Sequence, residues 1–410
     1  MQLMENVFDV VVVGGGPCGS FAAYNLAKNG VNVQVFEEHN EIGVPCHCAG
    51  HLSIKGLKDL GLYPLPEAIV ENNFYGATFH SPTGKDFSIR LSSPVTCTVN
   101  RALFDRHIAD LAKKAGAHYH LGSRVASLAI ENKHVTGVKV EKQGGQECFP
   151  CKIVINAEGI SSRLLRQAGL KTLDRSMVVN AVEAEVENVE NAETDMVDVF
   201  LSTDVALGFY AWLIPKSEGR AKIGLAARSG NPRNLLHKLM HAHPAASEKL
   251  RHARVLQTFF HPVTLGGNIP RTYADGFLVA GDAASHVKPT TGGGVIFGMN
   301  SARIAAEVAC EALQRNDVSS AFLSQYQKRW EGTFGLDMWF MLKMRKALDV
   351  MSDEAFDRLI RLCRTVKLDK ALKDVGDIDF QGHSLLQIMW SPRIWAALGY
   401  FFYIYLSANP

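Results

Sequence analysis

Residues that could bind a nucleotide or move protons fall into a few short stretches of this 410-residue chain. The first is a glycine series, Gly14-x-Gly16-x-x-Gly19, followed 18 residues later by Glu37. Glycines at this spacing let the backbone turn tightly, approach a pyrophosphate and pack a helix against a strand. An acid at that distance accepts hydrogen bonds from a ribose diol. The stretch therefore predicts a dinucleotide site for FAD or NAD, and the acid disfavours the 2′-phosphate of NADP.

The elements around the glycine series would hold it in place. Residues 10–13 form a β-branched run typical of a buried parallel strand, and a second apolar strand, 31–36, ends at Glu37. Between them, small and apolar residues recur at helical spacing over 22–27, and Gly30 ends that helix. The helix N-terminus offers free N–H groups to phosphates. This context favours a dinucleotide site over the alternative, a glycine-rich turn in an ordinary α/β domain.

A second ligand-binding stretch follows a short buried strand predicted at 276–280. Gly281-Asp282 comes directly after this strand, at the edge where open α/β sheets bind ligands. The three glycines of 292–294 then precede a helix predicted over 295–315, where backbone N–H groups are accessible to an anion or a carbonyl. Two such stretches, about 260 residues apart with a sheet domain between them, favour FAD over NAD.

Two cysteine clusters allow several interpretations. Cys46, His47 and Cys48 could be a structural thiol site, a reactive or proton-donating cysteine facing a flavin, or a metal site. A metal is disfavoured because no partner CxxC or HxxxH motif lies at zinc spacing from this cluster. Cys148 and Cys151 form an isolated CxxC, which is weak evidence for a redox pair outside a thioredoxin context.

Aromatic residues mark a second domain. Residues 208–215 and 220–228 predict a β-hairpin, and 176–187 alternates like a half-exposed strand. Tyr210 and Trp212 would present aromatic surface to a substrate, although at least one aromatic of this stretch is expected to be ordinary core. These strands predict the sheet of a substrate domain.

Composition restricts the class of protein. Hydrophobic residues make up 47% and charged residues 20%, which excludes extensive disorder, and a net charge of +2 argues against nucleic-acid binding by charge. Eight cysteines with uneven spacing predict reduced thiols in a cytoplasmic protein. We expect no signal peptide, because the first strand begins by Phe8, and no spanning helix. The apolar stretch 392–406 predicts an interfacial membrane anchor, a wall of an apolar tunnel or a packed core helix.

Several motifs together resemble a known superfamily. Gly14-x-Gly16-x-x-Gly19, Ala157-Glu158-Gly159 and Gly281-Asp282 resemble the FAD monooxygenase superfamily with the para-hydroxybenzoate hydroxylase fold. Within it, three stretches resemble the geranylgeranyl reductases, including the digeranylgeranylglycerophospholipid reductases: Pro45-Cys46-His47-Cys48-Ala49-Gly50, Tyr210-Ala211-Trp212-Leu213-Ile214-Pro215 and Pro289-Thr290-Thr291-Gly292-Gly293-Gly294. The resemblance covers residues 8–330, with Glu158 in place of the more usual Asp.

The predicted fold class is α/β, with three parts. A Rossmann-type FAD-binding domain would comprise residues 1–72, 97–172 and 269–330. An inserted antiparallel-sheet substrate domain would comprise 73–96 and 173–268, and a helical C-terminal region with an apolar tail would comprise 331–410.

The resemblance also implies site residues, with Cys48 matching the family's active-site cysteine more naturally than Cys46. Composition alone leaves Arg101 equally well explained as a solvated residue at the start of a helix. The substrate pocket is expected to include His47, Tyr210, Trp212 and Pro215, and no metal is expected. The implied FAD contacts are Gly14, Gly16, Pro17, Gly19, Glu37, Glu38, Cys48, Ala49, Arg101, Val125, Ala157, Gly159, Gly281, Asp282, Gly292, Gly293, Gly294 and Val295.

The implied activity is FAD-dependent saturation of isolated prenyl double bonds, with hydride from reduced flavin and Cys48 donating the proton or shaping the site. A prenyl lipid is the expected substrate, and a membrane surface is a further candidate partner. The electron donor is external, NAD(P)H, ferredoxin or another reductase, because no second GxGxxG follows a strand. One alternative is a monooxygenase or halogenase, since Tyr210-x-Trp212-x-Ile214-Pro215 approaches the tryptophan-rich motif of flavin halogenases. Another is a flavin-carrying electron-transfer protein at the membrane surface.

Overall fold

The computed structural model describes residues 7–142, 145–372, 379, 381–388 and 391–408. Its strands are β1 (Phe8–Val13), β2 (Val33–Phe36), β3 (His51–Ser53), β4 (Val70–Phe74), β5 (Gly76–His80), β6 (Asp86–Arg90), β7 (Thr96–Val99), β8 (His118–His120), β9 (Val125–Glu131), β10 (His134–Lys142), β11 (Gly145–Asn156), β12 (Val178–Glu187), β13 (Met196–Phe200), β14 (Ala211–Pro215), β15 (Ala221–Ala227), β16 (Arg254–Thr264), β17 (Tyr273–Ala274) and β18 (Phe277–Val279). Its helices are α1 (Pro17–Lys28), α2 (Ile54–Asp59), α3 (Arg101–Ala115), α4 (Thr203–Ala206), α5 (Pro232–Ala242), α6 (Pro244–Leu250), α7 (Val295–Arg315), α8 (Ser320–Trp330), α9 (Leu336–Asp349), α10 (Asp353–Thr365), α11 (Leu368–Leu372), α12 (Gln381–Ile388) and α13 (Pro392–Ala408).

Contacts divide the chain into two compact units. The first unit is Met1–Pro45, Arg101–Ser176 and Gly266–Leu336, and the second unit is Cys46–Asn100, Met177–Leu265 and Asp337–Pro410. This division differs from the predicted domains at 46–72, where β3 and β4 both pair with β7 in a three-stranded sheet of the second unit, and at 337–410, which belongs to the second unit and not to a separate region. The predicted domain boundaries themselves stay a prediction. Residues 1–6, 143–144, 373–378, 380, 389–390 and 409–410 of the predicted domains lie outside the described residues.

The first unit is built on a parallel sheet. Its 8-stranded sheet has the order β17-β18-β11-β1-β2-β8, with β9 and β10 joined through β11. The strands β18, β11, β1, β2 and β8 run parallel, which confirms the predicted α/β fold class. β1 is buried on both faces: Val12 lies beside Gly19 of α1, whereas Val11 and Val13 join an apolar cluster with residues of β9 and β10. The carboxyl ends of these strands converge on one edge of the sheet.

The second unit contains a larger sheet with two unlike faces. Its 7-stranded sheet has the order β16-β12-β15-β14-β13-β5-β6 and is antiparallel except for the parallel pair β13–β5. Alternate residues of β12, β14 and β15 form an apolar cluster with α4, α5 and α6. The intervening residues of the same strands, among them Glu183, Trp212 and Lys222, point to the opposite face.

The C-terminal helices pack against the end of the same sheet. Phe79 of β5 and Phe87 of β6 belong to an apolar cluster with residues of α10, α11 and α13. The predicted apolar stretch 392–406 lies within α13, whose Trp395 is 55% exposed. Over the described ranges, the helices lack the combination of length and apolar composition that a membrane crossing requires.

Candidate active site

The glycine turn after β1 is joined to the ends of two neighbouring strands. The Gly14 N–H donates to the Phe36 carbonyl at 2.8 Å, and the Ala157 N–H donates to the Val13 carbonyl at 2.8 Å. Gly14 has φ +97°, and a Cβ there would lie 2.4 Å from the Ala157 oxygen. A Cβ at Gly19 would lie 1.9 Å from the Gly14 oxygen. Side chains are therefore excluded at both positions by the backbone.

The start of α1 is open in front of this turn. Its N-cap is Gly16, and no side chain caps the helix there. A Cβ at Gly16 would meet no protein atom within 4 Å, and Pro17 supplies no N–H of its own at the first helical position. The remaining N–H groups of the first turn have no partner within the helix. An uncapped N-terminus facing open space fits a pyrophosphate.

Glu37 is positioned by backbone hydrogen bonds at the end of β2. Its Oε2 accepts from the Gly15 N–H at 2.6 Å, and its Oε1 accepts from the His39 N–H at 2.9 Å. The His39 Nδ1 lies 2.6 Å from the same Oε1, and the His39 side chain is 48% exposed. Sequence reasoning missed His39, although its position two residues after the acid was a usable signal. The two backbone hydrogen bonds therefore fix the Glu37 carboxylate beside the glycine turn.

Glu38 belongs to a charged network rather than to the buried turn. Its Oε2 lies 3.7 Å from Arg124 Nε and 3.6 Å from Arg163 Nη2. Arg124 and Arg163 were not among the predicted residues. Val125, which was predicted to contact FAD, has its side chain buried in the apolar cluster below the sheet, so only its backbone would be available to a ligand.

The turn after β11 explains the presence of a glutamate in the Ala157-Glu158-Gly159 motif. Glu158 Oε1 accepts from the Leu164 N–H at 2.8 Å and from Asn156 Nδ2 at 2.9 Å. Gly159 has φ +68° and begins a short 3-10 turn. The longer side chain of glutamate therefore reaches across the turn and holds it closed.

Asp282 follows β18 in a 3-10 turn, close to the start of α7. Burial raises the pKa of the Asp282 carboxyl, while the positive charge of Arg101 acts in the opposite direction. Arg101 also donates to Asp105 through Nε and Nη2, at 3.1 Å each, and its side chain is only 11% exposed. Arg101 is therefore not a solvated helix-start residue.

The glycines before α7 leave room around Asp282. A Cβ at Gly294 would lie 2.7 Å from Asp282 Oδ1, and Gly292 has φ +70°. Gly293 accepts from the Lys288 N–H at 3.2 Å through its carbonyl. The helix begins at Val295 without a side-chain cap. Uncapped starts at α1 and α7, together with the Glu37 carboxylate, fit a dinucleotide cofactor with two phosphates and a ribose.

The second unit holds the residues 46–50, which we call the cysteine loop. Cys48 is exposed and Cys46 is half-buried. The His47 ring stacks on that of His261, with centroids 5.5 Å apart and an interplanar angle of 11°. The Gly50 N–H points to Cys48 Sγ at 3.5 Å. Among the described residues there is no group of three or more His, Cys, Asp or Glu side chains arranged to hold a metal ion.

Trp212 lies on the same face of the second unit's sheet as part of the cysteine loop. Trp212 and Ala49 both pack against the apolar cluster around Phe74. The indole Nε1 donates to Glu183 Oε2 at 3.1 Å. A Cβ at Gly224, on the adjacent strand, would lie 2.5 Å from the indole ring. The absence of a side chain at Gly224 therefore leaves room for the indole ring against β15.

The other predicted substrate residues differ in their surroundings. Tyr210 stacks on Phe209 with ring centroids 4.3 Å apart and meets Trp212 edge-on at 5.9 Å, and burial raises its pKa. Pro215 ends β14 as a buried residue whose carbonyl accepts from Asn72 Nδ2 at 3.0 Å. The structure therefore groups Trp212 with Tyr210 and Ala49, whereas Pro215 lies apart from them at the end of a hairpin strand.

Sequence reasoning missed a lysine–carboxylate cluster on this face, formed by Glu71, Glu183, Glu185, Lys216 and Lys222. Lys222 Nζ donates to Glu71 Oε2 at 2.8 Å and to the Ala49 carbonyl at 2.9 Å. Lys216 Nζ lies 3.0 Å from both Glu71 Oε1 and Glu185 Oε1. Burial raises the pKa of Glu183 to about 7, against the effect of Lys222. The sequence contained a signal for this cluster. Glu183 and Glu185 lie at alternate positions of one strand, and Lys222 is a charged residue within a buried strand of the hairpin.

The cysteines outside the loop are free thiols. Cys148 is exposed and Cys151 is buried in β11. Cys18 of α1 lies against α7, where its Sγ donates to the Gly298 carbonyl at 3.2 Å, and burial raises its pKa.

Comparison with a family model of FAD binding domains gives a match over residues 7–330. Among curated proteins, the chain is 35% identical over 392 residues to digeranylgeranylglycerophospholipid reductase 2 of Methanopyrus kandleri, covering 93% of this chain and 98% of the relative. It is 35% identical over 362 residues to the digeranylgeranylglycerophospholipid reductase of Methanocaldococcus jannaschii, covering 88% of this chain and 91% of the relative.

Solved structures show the same architecture. A geranylgeranyl bacteriochlorophyll reductase-like protein from Thermoplasma acidophilum matches with a TM-score of 0.84 and 27% identity, over 96% of this chain and 99% of that one. The flavin-dependent brominase Bmp2 matches with a TM-score of 0.72 and 19% identity, over 98% of this chain and 99% of that one. The second likeness concerns the fold alone.

Proposed function

We propose that this chain, which belongs to the family of FAD-binding digeranylgeranylglycerophospholipid reductases, saturates isolated double bonds in the geranylgeranyl chains of a membrane lipid or its precursor. The chain is a flavin-dependent oxidoreductase with FAD as its cofactor. The observation that carries the proposal is the 35% identity to named reductases over 93% of the chain. Similarity of this extent supports a shared reaction class, and the substrate named for the relatives is here a proposal for this chain.

In the proposed site, the first unit binds the cofactor. The uncapped start of α1 would receive the pyrophosphate, and the Glu37 carboxylate would accept hydrogen bonds from the ribose. Asp282 and the glycines before α7 would bind the ribityl and ring portions. When reduced, FAD supplies the hydride for such a saturation.

A thiol is proposed to supply the proton. An isolated alkene that accepts a hydride at one carbon requires a proton at the other carbon, and a side chain next to the substrate can donate it. Cys48 is exposed in the second unit, and a cysteine thiol is a weak acid that becomes a thiolate when it transfers its proton. Cys46 is half-buried and its Sγ is directed to the Cys48 carbonyl at 3.9 Å, which makes it the weaker candidate.

The aromatic face of the second unit would bind the prenyl chain. Trp212 and Tyr210 offer flat apolar surface, and the Glu183 hydrogen bond fixes the orientation of the indole. A rigid aromatic wall orients a flexible chain at low entropic cost. His47, stacked on His261, would define one border of that surface.

Two partners complete the proposal. An external reductant, such as NAD(P)H, ferredoxin or another reductase, must reload the flavin. A lipid substrate would place the reaction at or near a membrane, and the exposed Trp395 and Tyr403 of α13 would support peripheral attachment.

The test is an anaerobic single-turnover experiment. The bound flavin is reduced chemically, a geranylgeranyl lipid is added, flavin absorbance is followed and the product is weighed by mass spectrometry. We expect the flavin to reoxidise while the lipid gains hydrogen. A flavin that stays reduced until oxygen enters, with oxygen or halide in the product, would replace this proposal with a monooxygenase or halogenase.

A further inference from the structure

The peptide group between Ala49 and Gly50 is hydrogen-bonded on both sides. Its carbonyl oxygen accepts from Lys222 Nζ at 2.9 Å, and its N–H points to Cys48 Sγ at 3.5 Å. The carbonyl and the N–H belong to one planar, conjugated unit. An ammonium group on one side and a cysteine sulfur on the other are thereby connected through a single peptide.

The position of Lys222 is determined by the sheet and by a carboxylate. The residue lies in β15, its side chain is only 7% exposed, and Glu71 accepts from the same ammonium at 2.8 Å. A buried ammonium requires such a partner, because an unpaired charge would be strongly destabilising. Gly50, on the other side of the peptide, is also held in place, because the Val99 N–H of β7 donates to the Gly50 carbonyl at 2.9 Å. The peptide therefore has little freedom to rotate.

This arrangement affects what happens at the sulfur. A cation bonded to a carbonyl oxygen polarises the peptide and strengthens donation by its N–H. An N–H donor favours the charged thiolate over the neutral thiol. A thiol that gives up a proton becomes a thiolate, so the same hydrogen bond lowers the free-energy cost of proton donation.

We propose that Lys222 is a positioning residue for Cys48, holding and polarising the Ala49–Gly50 peptide so that its N–H stabilises the thiolate. The inference deepens the proposed function and rests on it for the catalytic consequence. The structural part, from Lys222 to the sulfur, stands on contacts within the second unit alone.

Lys216 is a matched control in the same cluster. Its ammonium contacts Glu71 and Glu185, each at 3.0 Å, and it shares the Glu71 partner with Lys222. Removing it takes away one ammonium from the cluster while leaving the bond from Lys222 to the Ala49 carbonyl in place.

The experiment measures thiol reactivity in the flavin-loaded full chain without substrate. Lys222→Met, Lys216→Met and Lys222→Arg are treated with iodoacetamide at neutral pH, and alkylation of Cys48 is followed by peptide mass spectrometry, with the exposed Cys148 as an internal reference. We expect Lys222→Met to slow alkylation of Cys48 about three- to tenfold while Cys148 is unchanged. Lys216→Met should match the wild type, and Lys222→Arg should recover part of the rate because it keeps a cationic donor.

Several outcomes decide the matter. Equal Cys48 rates in Lys222→Met and Lys216→Met, or a faster rate in Lys222→Met, would overturn the proposal, because either result would show that the Lys222 ammonium does not promote thiolate formation at Cys48. If Lys222→Met is poorly folded, Lys222→Met with Glu71→Gln removes both charges and is subject to the same criterion. Slowed alkylation with undiminished kcat would support the positioning of Cys48 and contradict its proposed role as proton donor.

Discussion

The region of the first unit that is proposed to bind the cofactor and the cysteine loop of the second unit are constructed from different chemical groups. The first uses backbone: glycines at 14 and 19 that exclude side chains, uncapped helix starts and one carboxylate held by two N–H groups. The second uses side chains from distant strands, with Lys222 lying 173 residues from the Ala49 carbonyl that it contacts.

Because of this difference, we expect the two sites to respond differently to amino-acid substitutions. A backbone site depends on glycines whose replacement creates a clash, so single substitutions there should abolish binding or folding. A side-chain site depends on charges and hydrogen bonds that can be removed individually, so substitutions there should change reactivity in graded steps. The following predictions test that contrast, beginning with the largest effect.

Gly19→Val should prevent formation of a folded flavoprotein. The new Cβ would lie 1.9 Å from the Gly14 carbonyl oxygen, which is backbone and has no room to yield. We expect destabilisation by more than about 4 kcal/mol. Flavin absorbance of the purified protein and thermal unfolding followed by circular dichroism measure it.

Gly16→Ala is the control for that substitution. Gly16 has φ −66°, and a methyl group at this position would have no protein atom within 4 Å, so the variant should fold and lose flavin affinity only. A flavin-replete Gly19→Val protein, or unchanged affinity in Gly16→Ala, would contradict the description of this site as a backbone cradle.

Cys48→Ala should leave flavin bound and lower turnover about 100-fold, as expected for loss of a general acid. Flavin content and steady-state reduction of a geranylgeranyl lipid are measured together. Cys46→Ala is the matched control, because Cys46 is half-buried in the same loop. Unchanged turnover in Cys48→Ala would remove Cys48 from the mechanism.

Glu37→Gln should raise the dissociation constant for FAD about tenfold, a loss of ~1.4 kcal/mol, because a neutral amide accepts hydrogen bonds from a diol less strongly. Fluorescence titration of the apoprotein with FAD measures the effect. Glu38→Gln should weaken binding less, since Glu38 faces Arg124 and Arg163 at 3.7 and 3.6 Å. Equal effects of the two substitutions would show that Glu37 has no special role.

Glu183→Gln should stabilise the protein increasingly as pH rises. Burial raises the pKa of Glu183 from 4.5 to about 7. A carboxyl with a raised folded-state pKa contributes stability that is complete below the unfolded-state pKa and is lost as pH rises through the folded-state pKa. Glutamine does not ionise. The difference in the free energy of unfolding between Glu183→Gln and wild type should therefore vanish at about pH 4 and reach at most on the order of 3 kcal/mol at about pH 8.

Thermal unfolding of both proteins across this pH range measures the effect of Glu183→Gln. Glu185→Gln removes a neighbouring carboxylate on the same strand whose side chain is 33% exposed, and should show a weaker trend. A pH-independent difference in stability between wild type and Glu183→Gln would mean that the pKa of Glu183 is the same in the folded and the unfolded protein.

Local sequence patterns were sufficient to predict elements of both units. The helix predicted over 295–315 is α7, Val295–Arg315, and the hairpin predicted from 208–215 and 220–228 is β14 with β15. Hydrophobic periodicity and turn-forming residues are local features of the sequence, so these elements can be predicted without knowledge of the tertiary structure. The roles of the individual FAD and substrate residues stay predictions.

Contacts across the sheets depended on the tertiary structure. The sequence does not show that Arg101 is buried beside Asp105, that Glu158 closes its own turn, or that β13 pairs parallel with β5. Nor does it show that Lys222 reaches the peptide next to Cys48. Strand order and register decide which side chains contact each other, and both result from packing of the whole chain. A glycine turn between a strand and a helix is instead determined by a few consecutive residues.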